Sequence, residues 1–200
     1  MNARAVVPQK ALATAKSRLR RILDQPARAQ FSLCSLEMVC GALRAVTSVK
    51  SVTIMTPDPS VHRHADAWGV GTAFDAYPDL NAALAALFTC LAGRDHGLLV
   101  VAADLPFLRP SDVAALLARG TPSSVVLAPS KDGTGTNALL LPPGVTMHPA
   151  YGPGSLFAHR ERARHLGMRV VEVRRPGLGF DIDHPEDLIR LPTSRVLPCL

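Results

Sequence analysis

Aromatic residues are scarce in this chain of 200: one Trp, two Tyr and six Phe. Proteins that grip single-stranded nucleic acid stack bases on aromatic side chains, so the composition argues against such a platform. No apolar run is long enough to cross a bilayer as a helix. The opening residues, MNARAVVPQK, lack the apolar core of a secretion signal, and none is expected. The four cysteines, Cys34, Cys40, Cys90 and Cys199, form no CxxC pair and no metal-ligand spacing with histidine. They are expected to be thiols used as small core residues in a reducing, cytoplasmic setting. The phosphate and dinucleotide signatures GxxxxGK[ST] and GxGxxG are absent, as is the hydrolase signature GxSxG.

What is present is aliphatic and basic. Hydrophobic residues make up 48% of the chain, enough for one core in a single domain spanning 1–200. The formal charge is +6, and a basic balance suits small polyanions as well as nucleic acid. RLRR (Arg18 to Arg21) and HRERARHLGMR (His159 to Arg169) are the densest basic stretches. They read as solvated helix faces, with a phosphate role for a few residues at most.

Apolar strand patterns alternate with helical ones. Strands are predicted at Ala3–Val7, Val52–Met55, VGTAFD, Gly97–Ala102, Val125–Ala128, Ala138–Leu141 and Arg169–Val173. Helices are predicted from Pro26 onward with Phe31, Cys34, Met38, Leu43 and Val46 available for one face, and at Val61–Trp68, Leu80–Leu91, Pro110 to about Leu117 and Ser155–Leu166. That alternation implies an α/β fold with a mostly parallel sheet covered by helices on both faces. Ligands of such sheets bind at the carboxyl ends of strands, where strand order reverses.

The most apolar strand, in VVAADLPFL, runs straight into Asp104. An Asp before Leu-Pro also reads as an ordinary turn residue. A second acidic cluster, Asp181 and Asp183 in GFDIDHPEDL, alternates along an extended segment that sends both carboxylates to one face. Three such carboxylates would suit Mg²⁺, which takes oxygen ligands; Asp183 is also a natural cap for a helix starting near Pro185. Lys10 and Lys16 follow the first strand, where folds of this class hold phosphates, or they belong to a solvated basic loop. SKDGTGTNALLL contains the hairpin signal DG and offers Thr134, Thr136 and Asn137 as donors. YGPGSLFAH places Ser155 behind two glycines at a helix start, which suits an anion or an ordinary cap. His159 is assigned no acid–base role.

The ordered set VVPQK…AKSRL, TPD, LNAAL, VVAADLPFL, DGTGTNALLL, YGPGS…H and FDIDHPEDL resembles the 2-phospho-L-lactate guanylyltransferase family of deazaflavin coenzyme F-420 biosynthesis, from about Val6 to Leu191. The resemblance implies a nucleotidyltransferase, Rossmann-type fold of the molybdopterin-guanylyltransferase kind. It implies transfer of GMP from GTP to 2-phospho-L-lactate, phosphoenolpyruvate or 3-phospho-D-glycerate, with release of pyrophosphate. By the same resemblance Asp104, Asp181 and Asp183 match Mg²⁺ ligands, and Lys10 and Lys16 the loop around the GTP phosphates. Asn81 matches a nucleotide-recognising position, and Thr136, Gly152 and Ser155 match the phospho-acid site. The partners so implied are GTP, the phospho-acid and a downstream deazaflavin transferase, without nucleic acid or membrane. Gln9 and Tyr151 depart from the pattern, which often has an apolar residue and usually Phe there. Rival readings are a molybdenum-cofactor nucleotidyltransferase, a non-catalytic nucleotide-binding module and, third, a nucleic-acid binder.

Overall fold

The computed structural model describes residues 1–74, 77, 79–91 and 95–189. Seven strands form one sheet: β1 (Ala3–Pro8), β2 (Val49–Thr56), β3 (Gly71–Phe74), β4 (Gly97–Val101), β5 (Ser124–Pro129), β6 (Thr136–Leu141) and β7 (Arg169–Glu172). Their spatial order is β3-β2-β1-β4-β6-β5-β7. Every pairing is parallel except those of β6, which runs antiparallel to both β4 and β5. The DG loop makes β5 and β6 the expected hairpin: Ser130 N donates to Gly135 O at 3.0 Å, and Gly133 sits at φ 73°.

The helices are α1 (Gln25–Arg44), α2 (Pro59–Trp68), α3 (Leu80–Leu91), α4 (Pro110–Ala118), α5 (Ser155–His165), α6 (Pro176–Gly179) and α7 (Pro185–Ile189), with a 3-10 turn at Ser17–Leu19. Their ends follow local chemistry. Asp24 caps α1 by accepting from Ala27 N at 2.9 Å, with Pro26 in the first turn. Gly69, at φ 64°, ends α2. Among the described residues, no helix is long and apolar enough to cross a membrane.

The alternation of side chains along each strand divides the core in two. On one face Ala5, Val7, Leu99, Val101, Val126 and Leu140 pack under α1, α2 and α4. On the other, Val6, Val100, Leu127 and Leu139 pack under α3 and α5. Central strands buried on both faces need continuous apolar sequence, and β4, β5 and β6 have it. A third, smaller cluster of Leu19, Phe31 and Ile182 joins the loop after β1, helix α1 and the acidic segment before α7.

Two expectations need correction. Helix α1 has more than the single apolar face read from its sequence. Leu36, Val39 and Leu43 face the sheet, whereas Cys34 and Met38 pack on the third cluster. The cysteines do not share one state either. Among the described residues Cys34 is disulfide-bonded, Cys90 is an exposed thiol, and Cys40 is the buried thiol expected. Burial pushes the Cys40 thiol up to about 12. Disulfide pairing depends on how closely two Cα atoms approach, which spacing in sequence does not reveal. Cys199 lies outside the described residues.

Strand order reverses between β1 and β4: the chain moves outward from β1 to β2 and β3, then returns to the other side of β1. The loops leaving β1 and β4 diverge there, and a crevice opens at their carboxyl ends.

Candidate active site

A cleft of about 410 Å³ occupies that crevice. Lys10, Lys16 and Arg18 line it from the loop after β1, and Asp104, Thr136 and Asp183 from β4, β6 and the acidic segment.

The loop after β1 is tied down at both ends. Gln9 is buried; its main-chain N donates to Met55 O at 2.8 Å, and its side-chain Nε2 donates to Lys10 O at 2.8 Å and Ser32 Oγ at 3.1 Å. Asp58, the cap of α2, accepts from Leu12 N at 2.8 Å and from Ser60 N and Oγ at 2.9 and 2.7 Å. Burial works to raise the Asp58 pKa, but the Ser60 and Leu12 hydrogen bonds outweigh it and hold the carboxyl below its usual range. The chain then bends through Lys16 at φ 51° and ψ 39°, the left-handed region. Among the described residues it is the one non-glycine there, at a cost of roughly 1–2 kcal/mol.

That bend carries the Lys16 side chain inward. Its Nζ donates to Asp104 Oδ2 at 2.5 Å and Asp183 Oδ1 at 3.4 Å, and to the carbonyl oxygen of Ile182. Burial, the largest influence, lowers its pKa, but the charges and hydrogen bonds of Asp104 and Asp183 outweigh burial and raise it.

Asp104 lies just past β4, where Ala102 N donates to Asn137 O at 2.8 Å and Ile182 N approaches Asp104 O at 3.4 Å. Ile182 is fully buried in the third cluster, which seats the acidic segment against this loop. Asp183 also accepts from Arg18 Nη1 at 2.6 Å. It does not cap α7. Asp187, from inside that helix, accepts from Asp183 N at 2.9 Å and His184 N at 2.8 Å, and pairs with Lys131.

Asp181 stands apart from the residues that line the cleft, its Oδ1 3.4 Å from Asn137 Nδ2. Burial raises its pKa first, then the charge of Asp104 and, less, that of Asp183; its own backbone and Asn137 oppose them. Among the described residues no three His, Cys, Asp or Glu side chains converge so as to hold a metal ion, and Lys16 stands between Asp104 and Asp183. The donor chemistry nevertheless fits a hard divalent cation, because all three groups offer oxygen.

The far end of the cleft is neutral. Thr136 N donates to Ser155 Oγ at 3.0 Å, and Leu156 N to Thr134 O at 3.0 Å, pinning α5 to the start of β6. Thr136 Oγ1 is 2.9 Å from His159 Nδ1, and Ala150 N donates to His159 Nε2 at 2.9 Å. His159 is fully buried, with the Tyr151 ring edge-on at 4.9 Å. Gly152 and Gly154, at φ 134° and 70°, let the chain turn into α5. Asn81 spends both halves of its amide on Tyr151: Nδ2 donates to its carbonyl oxygen at 2.9 Å and Oδ1 accepts from its N–H at 2.7 Å. Asn81, Gly152 and Ser155 are not among the residues that line the cleft.

The structure thus gathers Lys10, Lys16, Asp104, Asp183 and Thr136 around one cleft, with Asp181, Asn81, Gly152 and Ser155 outside its lining. Sequence reasoning passed over Asp58, Asp187 and His159 as supports. The four-residue spacing of Ser155 and His159, one helical turn, was the available signal for the last. A larger groove of about 930 Å³ lies by α4 and α6, but three of its four cations, Lys131, Arg174 and Arg175, already pair with carboxylates.

Comparison with known proteins identifies the family and the fold. The family described as "Guanylyl transferase CofC like" matches residues 3–192. A protein of Rubrobacter xylanophilus named phosphoenolpyruvate guanylyltransferase is 41% identical over 97% of this chain and 95% of its own length. One of the same name from Sphaerobacter thermophilus is 38% identical over 94% and 91%. Among solved structures, a putative nucleotide-diphospho-sugar transferase from Desulfovibrio desulfuricans G20 superposes with a TM-score of 0.74 at 15% identity, covering 97% of this chain and 88% of that one. A nucleotidyl transferase from Methanothermobacter gives 0.69 at 19% identity, covering 98% and 99%. The sheet is therefore that of the nucleotidyltransferases, and the chain belongs to the guanylyl transferase CofC-like family.

Proposed function

We propose that this protein joins GMP from GTP to a phosphorylated three-carbon acid, with phosphoenolpyruvate, the substrate in its relatives' names, as the first candidate. An oxygen of the acid's phosphate bonds to the α-phosphorus of GTP, the bond from that phosphorus to the bridging oxygen breaks, and pyrophosphate leaves. The observation that carries this reading is the buried Lys16 ammonium, held in a left-handed bend at the switch point of a nucleotidyltransferase sheet.

The attacking phosphate is already anionic at neutral pH, so no general base is needed. The requirement is to offset repulsion between two polyanions and align them. Lys10, exposed on the cleft wall, meets the triphosphate. Lys16 stays charged because carboxylates surround it, and so offsets charge on the leaving pyrophosphate. Mg²⁺, when held by Asp104, Asp181 and Asp183, supplies further positive charge to the phosphates. Thr136, backed by Ser155 and the Gly152 turn, receives the acid, and Asn81 fixes the Tyr151 backbone beside it. The product, a guanosine diphosphate-linked acid, passes to a deazaflavin transferase of coenzyme F-420 biosynthesis in the cytoplasm.

The test is pyrophosphate release by purified protein with Mg²⁺ and GTP, ATP or CTP. Phosphoenolpyruvate, 2-phospho-L-lactate and 3-phospho-D-glycerate are supplied separately, with and without the downstream transferase and its acceptor. Release that requires GTP and one acid supports the assignment. Folded, GTP-binding protein that releases nothing with any acid overturns it.

A further inference from the structure

His159 does not line the cleft, yet its two ring nitrogens leave only one arrangement of protons around Thr136. The main-chain N–H of Ala150 can only donate, and it points at Nε2 from 2.9 Å. Nε2 is therefore the unprotonated nitrogen. A neutral imidazole carries one N–H, which must then sit on Nδ1. Nδ1 lies 2.9 Å from Thr136 Oγ1, so the ring donates and the hydroxyl oxygen accepts. Among the described residues His159 is the one hydrogen-bond partner of that hydroxyl, so the Thr136 proton is left for whatever enters the cleft it lines.

We propose that His159 is a positioning residue that turns Thr136 into an obligatory hydrogen-bond donor to the anionic end of the acceptor substrate. The proposal rests on the guanylyl-transfer reading for the identity of that acceptor. The opposite tautomer would place two N–H groups nose to nose at Ala150. It would also force Thr136 to donate backward to the ring and turn its lone pairs toward an anion. The surroundings hold the ring neutral: burial first, then the positive Arg162 on the same helix, push its pKa down to about 4. The edge of Tyr151 closes the remaining side. The main chain thus fixes the tautomer, the tautomer fixes the hydroxyl, and the hydroxyl selects an acceptor rather than a donor from the substrate.

Two measurements test this. The first needs no activity: long-range ¹H–¹⁵N correlation spectra of protein labelled at histidine, with the His159 signals assigned by their loss in His159→Asn. A neutral ring protonated at Nδ1 is expected at pH 7.5. A ring protonated at Nε2, or at both nitrogens, overturns the proposal whatever the reaction proves to be. The second is kinetic. In His159→Leu and in Thr136→Val, the KM for the acid should rise by about tenfold or more, as for loss of one hydrogen bond to a charged group, while the KM for GTP stays put. The double variant should be no worse than Thr136→Val, because His159 acts through that hydroxyl. His159→Asn, whose amide can stand in for the Nδ1–H donor, should recover most of the loss. Independent, multiplying effects of the two substitutions, or equal damage to both KM values, would mean that His159 merely supports the fold. If His159→Leu does not fold, the Asn variant and the spectra still decide.

Discussion

The two ends of the cleft are built on opposite principles. At one end Lys16, Arg18, Asp104 and Asp183 form an array of charges in which each cation has a carboxylate partner. At the other, Thr136, Ser155, Asn81 and His159 form a neutral network on main-chain donors and acceptors. Paired charges can be exchanged: a phosphate can take the place of a carboxylate on an ammonium, and a metal ion the place of the ammonium on a carboxylate. A neutral network anchored to the backbone cannot exchange partners without breaking the fold around it. The charged end is thus suited to a polyphosphate that arrives and leaves, and the neutral end to recognising a small acid by shape and hydrogen-bond direction.

The largest expected contrast comes from Asp104→Ala. Asp104 lies in a loop beyond β4, outside the core clusters, so the fold should survive. Turnover should fall by about 10²–10³-fold or more, as when a preorganised electrostatic group is lost. Initial rates alongside a thermal melt check this. Normal rates from folded Asp104→Ala protein would place the chemistry elsewhere.

Lys16 separates backbone strain from charge. Lys16→Ala and Lys16→Gly both remove the ammonium, and both should lose activity to a similar extent. Only glycine adopts the left-handed bend freely, so Lys16→Gly should be the more stable by about 1 kcal/mol. Equal melting temperatures for the two variants would show that the bend relaxes once the side chain is gone.

How much of this was legible beforehand follows the same division. Strands buried on both faces announce themselves as apolar runs, and β4, β5 and β6 fall within a few residues of where the pattern puts them, as do the less buried β1, β2 and β7. The alternation of elements gave the mostly parallel sheet, and the DG turn gave the β5–β6 hairpin. Asp104 stood out because a carboxylate at the end of the most apolar strand has no place in a core. Alternation in DID puts Ile182 opposite the two carboxylates, and Ile182 is buried in the third cluster; what the pattern did not reveal is that Asp183 lines the cleft whereas Asp181 lies against Asn137. Nor was the bend at Lys16 legible, since a left-handed lysine carries no local signature and is imposed by contacts with Asp104, Ile182 and Asp183. Asn81 resembled a nucleotide contact in sequence, whereas its amide is used on the Tyr151 backbone.

The neutral end makes a prediction about pH. The folded pKa of His159, about 4, lies below its ordinary 6.5, so between those values the unfolded chain binds a proton that the folded one refuses. His159 therefore makes stability fall as pH drops below about 6.5, with the loss complete near 4 and amounting to at most about 3 kcal/mol. Asp181 acts in the other direction at the acid end of that window, because its folded pKa is raised and protonation favours the native state. Denaturant unfolding from pH 7.5 to 4.5 should show the decline, and His159→Asn should flatten it. A parallel decline in the variant would assign it to other groups.

The smallest effect concerns Tyr151, at the neutral end. Its backbone is gripped by Asn81, its ring borders both the cleft and His159, and its hydroxyl is buried without a hydrogen-bond partner among the described residues. Burial alone drives the phenol pKa far above its usual value. An unpaired buried hydroxyl costs about 1–3 kcal/mol in desolvation, offset in part by its contacts. Tyr151→Phe keeps the ring and its edge contact and removes that cost. The ligand-free variant should melt at the same temperature or a few degrees higher, since 1 kcal/mol corresponds to about 2–4 °C in a chain of this size. The decisive comparison is the same pair of melts with saturating phospho-acid. If the advantage of Phe persists, the hydroxyl is idle and the neutral end reads the substrate through Thr136. If it reverses, the substrate supplies the partner the hydroxyl lacks, and Tyr151 joins Thr136 in choosing the acid.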